Sequence, residues 1–159
     1  MNALDVLKYG NQTLLRTIDE LPDEAWETPG VCGIWSVKDI IAHLASYELI
    51  LVDVLSTFVD PGPTPYLDKY GDDYVEFNDH EVEARQDLTA AEVLDEYKAA
   101  HAKTMALAAK IDTETFRRDG TLPWYGEEYD LDDFLVYTYY GHKREHSAQI
   151  AVFRDETKQ

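Results

Sequence analysis

SVKDIIAHLASYELILVDVLSTFVDPGP, residues 36–63, decides how this chain is built. Ser36 has a side chain suited to capping a helix. Asp39, three residues on, can return the bond and suits the positive helix end. Apolar residues then run through Val59 without strand-like alternation, and Asp60-Pro61-Gly62-Pro63 cannot continue a helix. The stretch reads as one long helix. It is apolar nearly all round, so it either lies centrally or meets a second copy of the chain, which keeps a homodimer among the expected partners.

Upstream, Leu4, Leu7, Leu14, Leu15, Ile18 and Leu21 mark one face of a helix over Met1 to Leu21. Asn2 or Asp5 serves its first turn and Pro22 ends it. Residues 22–34 carry two Pro and two Gly and read as a loop. Downstream, residues 60–72 form a Pro- and Gly-rich loop. A shorter helix is expected over 73–86, with Tyr74, Phe77, Glu81 and Ala84 on one side. Thr89 and Glu92 make a capping box for a helix to about Ile111. Residues 112–129 are irregular, broken by Gly120, Pro123 and Gly126. Asp130 caps a last helix, Leu131 to about Arg154, which at ~1.5 Å per residue is ~35 Å long. No segment reads as a strand. The expected fold is all-α: a single four-helix-bundle domain over 1–159, with a short extra helix and long loops at one end, where function concentrates.

Composition narrows the partners. The 159 residues hold 32 Asp and Glu against 14 Lys and Arg, a net charge of −18. Such a surface repels nucleic acid and anionic membranes. The single cysteine, Cys32, makes no internal disulfide and no Cys-rich metal cluster. It sits in a Gly-flanked loop and reads as a passive small residue. No run of about 18 apolar residues is present, so nothing is expected to span a bilayer. The start lacks the basic-then-apolar order of a secretion signal, so a cytoplasmic location is expected.

The chemistry concentrates in histidines. On a helical wheel Leu131, Leu135, Tyr139, His142, His146, Ile150 and Phe153 share one stripe of the last helix. His142 and His146, at i and i+4, point the same way and can share one metal ion; the bland alternative is two core rings bonded to Tyr or carboxylate partners. Two positions compete for third ligand. His43 lies on the polar stripe Asp39, His43, Ser46, Ile50, Asp53, Thr57, which is either a solvated face or an internal cleft. His101 lies with Leu94, Tyr97, Met105 and Ala108 on an apolar face, and periodicity favours it. His80 is a weak candidate. Glu48 and Glu145 point to other faces and read as surface charges. Among the aromatics, Trp26 and Trp35 read as core plugs. Trp124, Tyr125 and Tyr139 are candidates for lining a small-molecule pocket.

Taken together, PGVCGIWSVKDIIAHLASYE (29–48) and GHKREHSAQI (141–150) resemble the DinB-like (YfiT-like) superfamily of four-helix-bundle metalloenzymes. The marks are Trp-Ser opening helix two, a His seven residues after that Ser, and H-x-x-x-H on the last helix. Residues 77–111 further resemble the ClbS-like branch of colibactin self-protection proteins. The superfamily resemblance implies a divalent metal, Zn, Ni or Fe, held by His43, His142 and His146, with His43 replacing His101 on analogy. It also implies a metal-activated low-molecular-weight thiol or water attacking a small electrophile, in detoxification or stress. The ClbS-like resemblance implies instead a metal-free hydrolase or sequestering protein. A non-enzymatic binding module with structural histidines is the third expectation.

Overall fold

A computed structural model describes residues 2–158. Met1, placed in the first predicted helix, and Gln159 lie outside the described residues. Every regular element is helical, as the periodicity predicts; the one β-bridge among the described residues, Cys32 to Trp35, closes a tight turn. The chain separates into two compact units: residues up to Glu20 with those from Ala108 on, and Leu21–Leu107.

The first unit opens with α1 (Ala3–Asp19), where the Asn2 side chain accepts from the Leu4 and Asp5 amides. Leu7, Leu14 and Ile18 are its buried stripe. The unit closes with α6 (Thr113–Phe116), α7 (Leu131–Phe134), a π-helical segment (Leu135–Tyr140) and α8 (Gly141–Thr157). Asp130 caps the start of α7, as predicted, and Asp133 returns the bond to the Asp130 amide. The α-helical wheel assumed for this run breaks over the π segment, where bonds reach one residue further and an extra residue enters the turn. α1 packs along the π segment and α8. Gly10 approaches Tyr140 so closely that a Cβ would sit 3.4 Å from its ring, and Arg154 donates to the Thr17 carbonyl at 3.3 Å. Contact therefore advances in step along both helices, which run parallel.

In the second unit the predicted cap of α2 (Val37–Val59) is present: Ser36 Oγ accepts from the Asp39 amide at 3.2 Å and the Asp39 carboxylate accepts from the Ser36 amide at 3.0 Å. By hydropathy α2 is apolar enough to cross a membrane, which counting unbroken apolar residues did not reveal; yet 78% of its most apolar stretch is buried inside the protein, as in a core helix.

Two expectations fail in this unit. Residues 60–72 are not wholly loop: α3 (Pro65–Asp72) occupies their second half. Its cap comes from α2, where Asp53 Oδ2 accepts from the Tyr66 and Leu67 amides at 2.7 and 3.0 Å. The shorter helix is α4 (Phe77–Glu83), and its buried side is Phe77, Glu81 and Val82; Tyr74 and Ala84 face water. Arg85 follows, buried, paired with Glu81 at 2.7 Å and in a fork with Glu96 of α5 (Ala90–Ala108). An arginine takes this place because its planar donors serve two carboxylates at once. Thr89 and Glu92 cap α5 as predicted.

Candidate metal centre

Local chain geometry sets up the first candidate imidazole. Residues 31–35 fold into a tight turn, with the Trp35 amide donating to the Cys32 carbonyl at 2.9 Å. Gly33 supplies the positive φ, 58°, that the turn requires. The turn delivers Trp35 directly onto Ser36 and α2, and its indole stands 5.0 Å, centroid to centroid, from the His43 ring. Tyr47, one helical turn after His43, meets the same ring edge-on at 4.7 Å. Tyr70 of α3 and Phe77 of α4 extend this aromatic wall, at 6.0 and 5.9 Å from Tyr47. His43 is 2% exposed, so the polar stripe of α2 is internal around it, not solvated.

The other two imidazoles lie on α8. His142 Nε2 and His146 Nε2 are 3.0 Å apart. His146 Nδ1 lies 2.8 Å from Gln149 Oε1. A carbonyl oxygen only accepts, so Nδ1 carries the proton and Nε2 keeps its lone pair facing His142. Burial, then His146, then Lys143 depress the His142 pKa to about 4. Burial also lowers His146, partly offset by Gln149 and Glu145. Both rings are neutral at pH 7, the form that ligates a metal.

His43, His142 and His146 each offer one ring nitrogen, and these atoms lie within 4.8 Å of one another. Bonds of about 2.0–2.1 Å to a tetrahedral metal would set ligand nitrogens roughly 3.3 Å apart, so the cluster approaches ligating spacing. Three imidazoles suit Zn, Ni, Fe or Cu and leave coordination positions open. The donor set fits a divalent metal ion.

Other sequence candidates sit elsewhere. His101, favoured by periodicity, is outside the three-His cluster; it stacks on Tyr97, with Nδ1 3.8 Å from Glu48 Oε2. His80 is exposed. Glu48, read as a surface charge, is fully buried and accepts a 2.9 Å hydrogen bond from Thr104 Oγ1. That expectation fails because the burial of α2 reaches the flank that carries Glu48. Glu145 is exposed, as expected. Trp124 and Tyr125 pack on Phe134, at 5.6 and 5.0 Å, and Tyr139 meets the same ring at 5.4 Å. Cys32 is half-buried in its turn. The sequence reading passed over Gln149, although its i+3 spacing from His146 was readable. It also passed over Tyr47, and no local signal foretold that Lys143 would be buried.

A family model described as the DinB superfamily matches residues 7–150. No curated protein and no solved structure matches the chain.

Proposed function

The chain belongs to the DinB superfamily, and from that premise we propose that it is a metal-dependent enzyme acting on a small electrophile. The observation that carries this reading is the convergence of three ring nitrogens within 4.8 Å. A bound divalent cation would supply Lewis acidity, making a coordinated water or thiol a nucleophile at neutral pH. Gln149 holds the His146 proton on Nδ1 and so keeps Nε2 a ligand. Trp35 and Tyr47 brace His43 and exclude water from one side of it. Burial, then Tyr70, raise the Tyr47 pKa to about 12, against a hydrogen bond with Asn78; its phenol stays protonated at pH 7.

The reading takes a low-molecular-weight thiol or water as co-reactant, with Trp124, Tyr125 and Tyr139 as pocket wall, supported by their shared packing on Phe134. It takes residues 1–159 as one domain, supported by a single family model running across most of the chain. Burial of the apolar α2 and the lone cysteine support a cytoplasmic setting. The net charge of −18 supports a protein without nucleic-acid or membrane partners. A homodimer is compatible with it.

One observation favours a second reading, a metal-free hydrolase of the ClbS-like kind: His142 and His146 already bond each other at 3.0 Å, an arrangement suited to acid–base work. Elemental analysis of protein purified without chelator separates the two. The metal reading expects one divalent ion per chain in the wild type and its loss in His146→Ala. Protein that stays metal-free after incubation with Zn²⁺ and Ni²⁺ overturns it in favour of the second.

A further inference from the structure

In the second unit a cavity of about 370 Å³ is lined by Asp23 and Trp26 on one side and by Thr89, Ala90, Ala91 and Leu94, at the start of α5, on the other. Small-molecule pockets fall in this size range. Asp23–Ala25 is a 3₁₀ turn, closed by the Trp26 amide on the Asp23 carbonyl. Side chains three apart stand over one another in such a turn, which sets Asp23 and Trp26 on the same side. Both walls are tied to α2 through Lys38. Its amide donates to the Trp26 carbonyl at 2.9 Å, and its ammonium donates to the Gln86 carbonyl at 2.9 Å. The cavity is therefore built into the fold.

Its polar groups are donors. Trp26 is only 9% exposed, and its Nε1 donates no hydrogen bond among the described residues. That nitrogen is not among the polar atoms sealed from solvent, so the N–H keeps surface of its own, on the cavity that Trp26 lines. A buried indole ordinarily finds an acceptor for this group. Across the cavity, the amides of Ala90 and Ala91 open a 19-residue helix and have no acceptor within it. Thr89 Oγ1 accepts from the Glu92 amide at 3.1 Å, which leaves its O–H to donate.

We propose that this cavity is a second ligand site, separate from the imidazole cluster, which takes a small neutral carbonyl compound with an apolar body. The carbonyl oxygen accepts from Trp26 Nε1 and from the first turn of α5, and the body lies against the indole and Leu94. An anion would meet the same donors, but Asp23 stands at the cavity and the Glu92 carboxylate already accepts from the Thr89 amide at 2.7 Å. Those two carboxylates, on a chain of net charge −18, repel it. A cation would pair with Asp23, which is exposed and hydrated, and would leave the N–H groups unmet.

The test is an NMR titration of the full chain with acetophenone, compared with ethylbenzene, which lacks the acceptor, and with benzoate and benzylamine, which carry charge. Acetophenone is expected to shift the Trp26 indole N–H and the amides of Ala90 and Ala91, and to bind at least about tenfold more tightly than each of the three. Trp26→Phe, which keeps an apolar ring and removes the N–H, is expected to abolish the preference over ethylbenzene. Ala91→Phe starts from an exposed position, fills the cavity and leaves the indole in place. It is expected to weaken acetophenone by about tenfold, and it keeps the test decisive should Trp26→Phe fold poorly. Equal binding of acetophenone and ethylbenzene, tighter binding of either ion, an unmoved Trp26 indole at millimolar ketone, or unchanged affinity in both variants would each overturn the proposal.

Discussion

Gln149 shows how one uncharged side chain decides what a histidine can do. Its carbonyl oxygen holds the proton of His146 on Nδ1 and turns the Nε2 lone pair toward His142. Replacing it by Leu keeps the volume and removes the acceptor, so both tautomers of His146 become available. Outer partners of metal ligands are typically worth 10- to 100-fold in affinity. Gln149→Leu is therefore expected to bind Zn²⁺ about 10- to 100-fold more weakly than wild type in a competition titration against a chelator dye. Unchanged affinity would show that the pair is oriented by packing alone. Glu48 carries the opposite lesson: its position in the sequence reads as a solvated charge, and its place in the structure is a buried acceptor for Thr104.

α3 shows why some helices escape a reading of local signals. Pro65 at its first position is a permissive mark, and Thr64 makes no capping bond to the helix amides. The amides of Tyr66 and Leu67 are served by Asp53 of α2, thirteen residues before Tyr66. Asp53→Ala should cost about 0.5–2 kcal/mol, the usual worth of a cap, with faster amide exchange confined to α3. Exchange that quickens equally throughout the second unit would place the role of Asp53 in the core of α2 instead. The π segment is a second case. The buried stripe Leu131, Leu135, Tyr139, His146 and Ile150 survives it, while His142 is half-buried. The histidine pair stays in register because both residues lie beyond the segment, on regular α8.

At the scale of the whole molecule, the depressed imidazoles make stability depend on pH. In the unfolded chain His142 takes up a proton near its ordinary value of about 6.5, while in the folded chain it does so only near pH 4. Between those values the unfolded state binds more protons, so stability falls as pH drops from about 6.5 toward 4 and this contribution is spent below that. His146 is shifted in the same direction. Carboxylates titrate over part of the same range, so the comparison that isolates the effect is with His142→Gln. Metal-free wild type should lose melting temperature more steeply than His142→Gln across this window; parallel curves would mean that His142 titrates normally.

Much of the fold was legible because the signals that carry it are local. Ser36 with Asp39, Thr89 with Glu92 and Asp130 with Asp133 each act over three residues, and Pro61 stops α2 wherever the rest of the chain lies. Helix periodicity likewise put His142 and His146 side by side, since i and i+4 are neighbours in any helix. Whether His43 or His101 joins them was undetermined by wheel arithmetic, because both sit on faces that could be internal; resemblance chose His43, and folding brought its nitrogen near the pair. The burial of Glu48 and Lys143 and the cap on α3 were likewise decided by residues distant in sequence. Their physical cause is shared: desolvation and hydrogen-bond partnership depend on what packs against a side chain, and no local pattern encodes that.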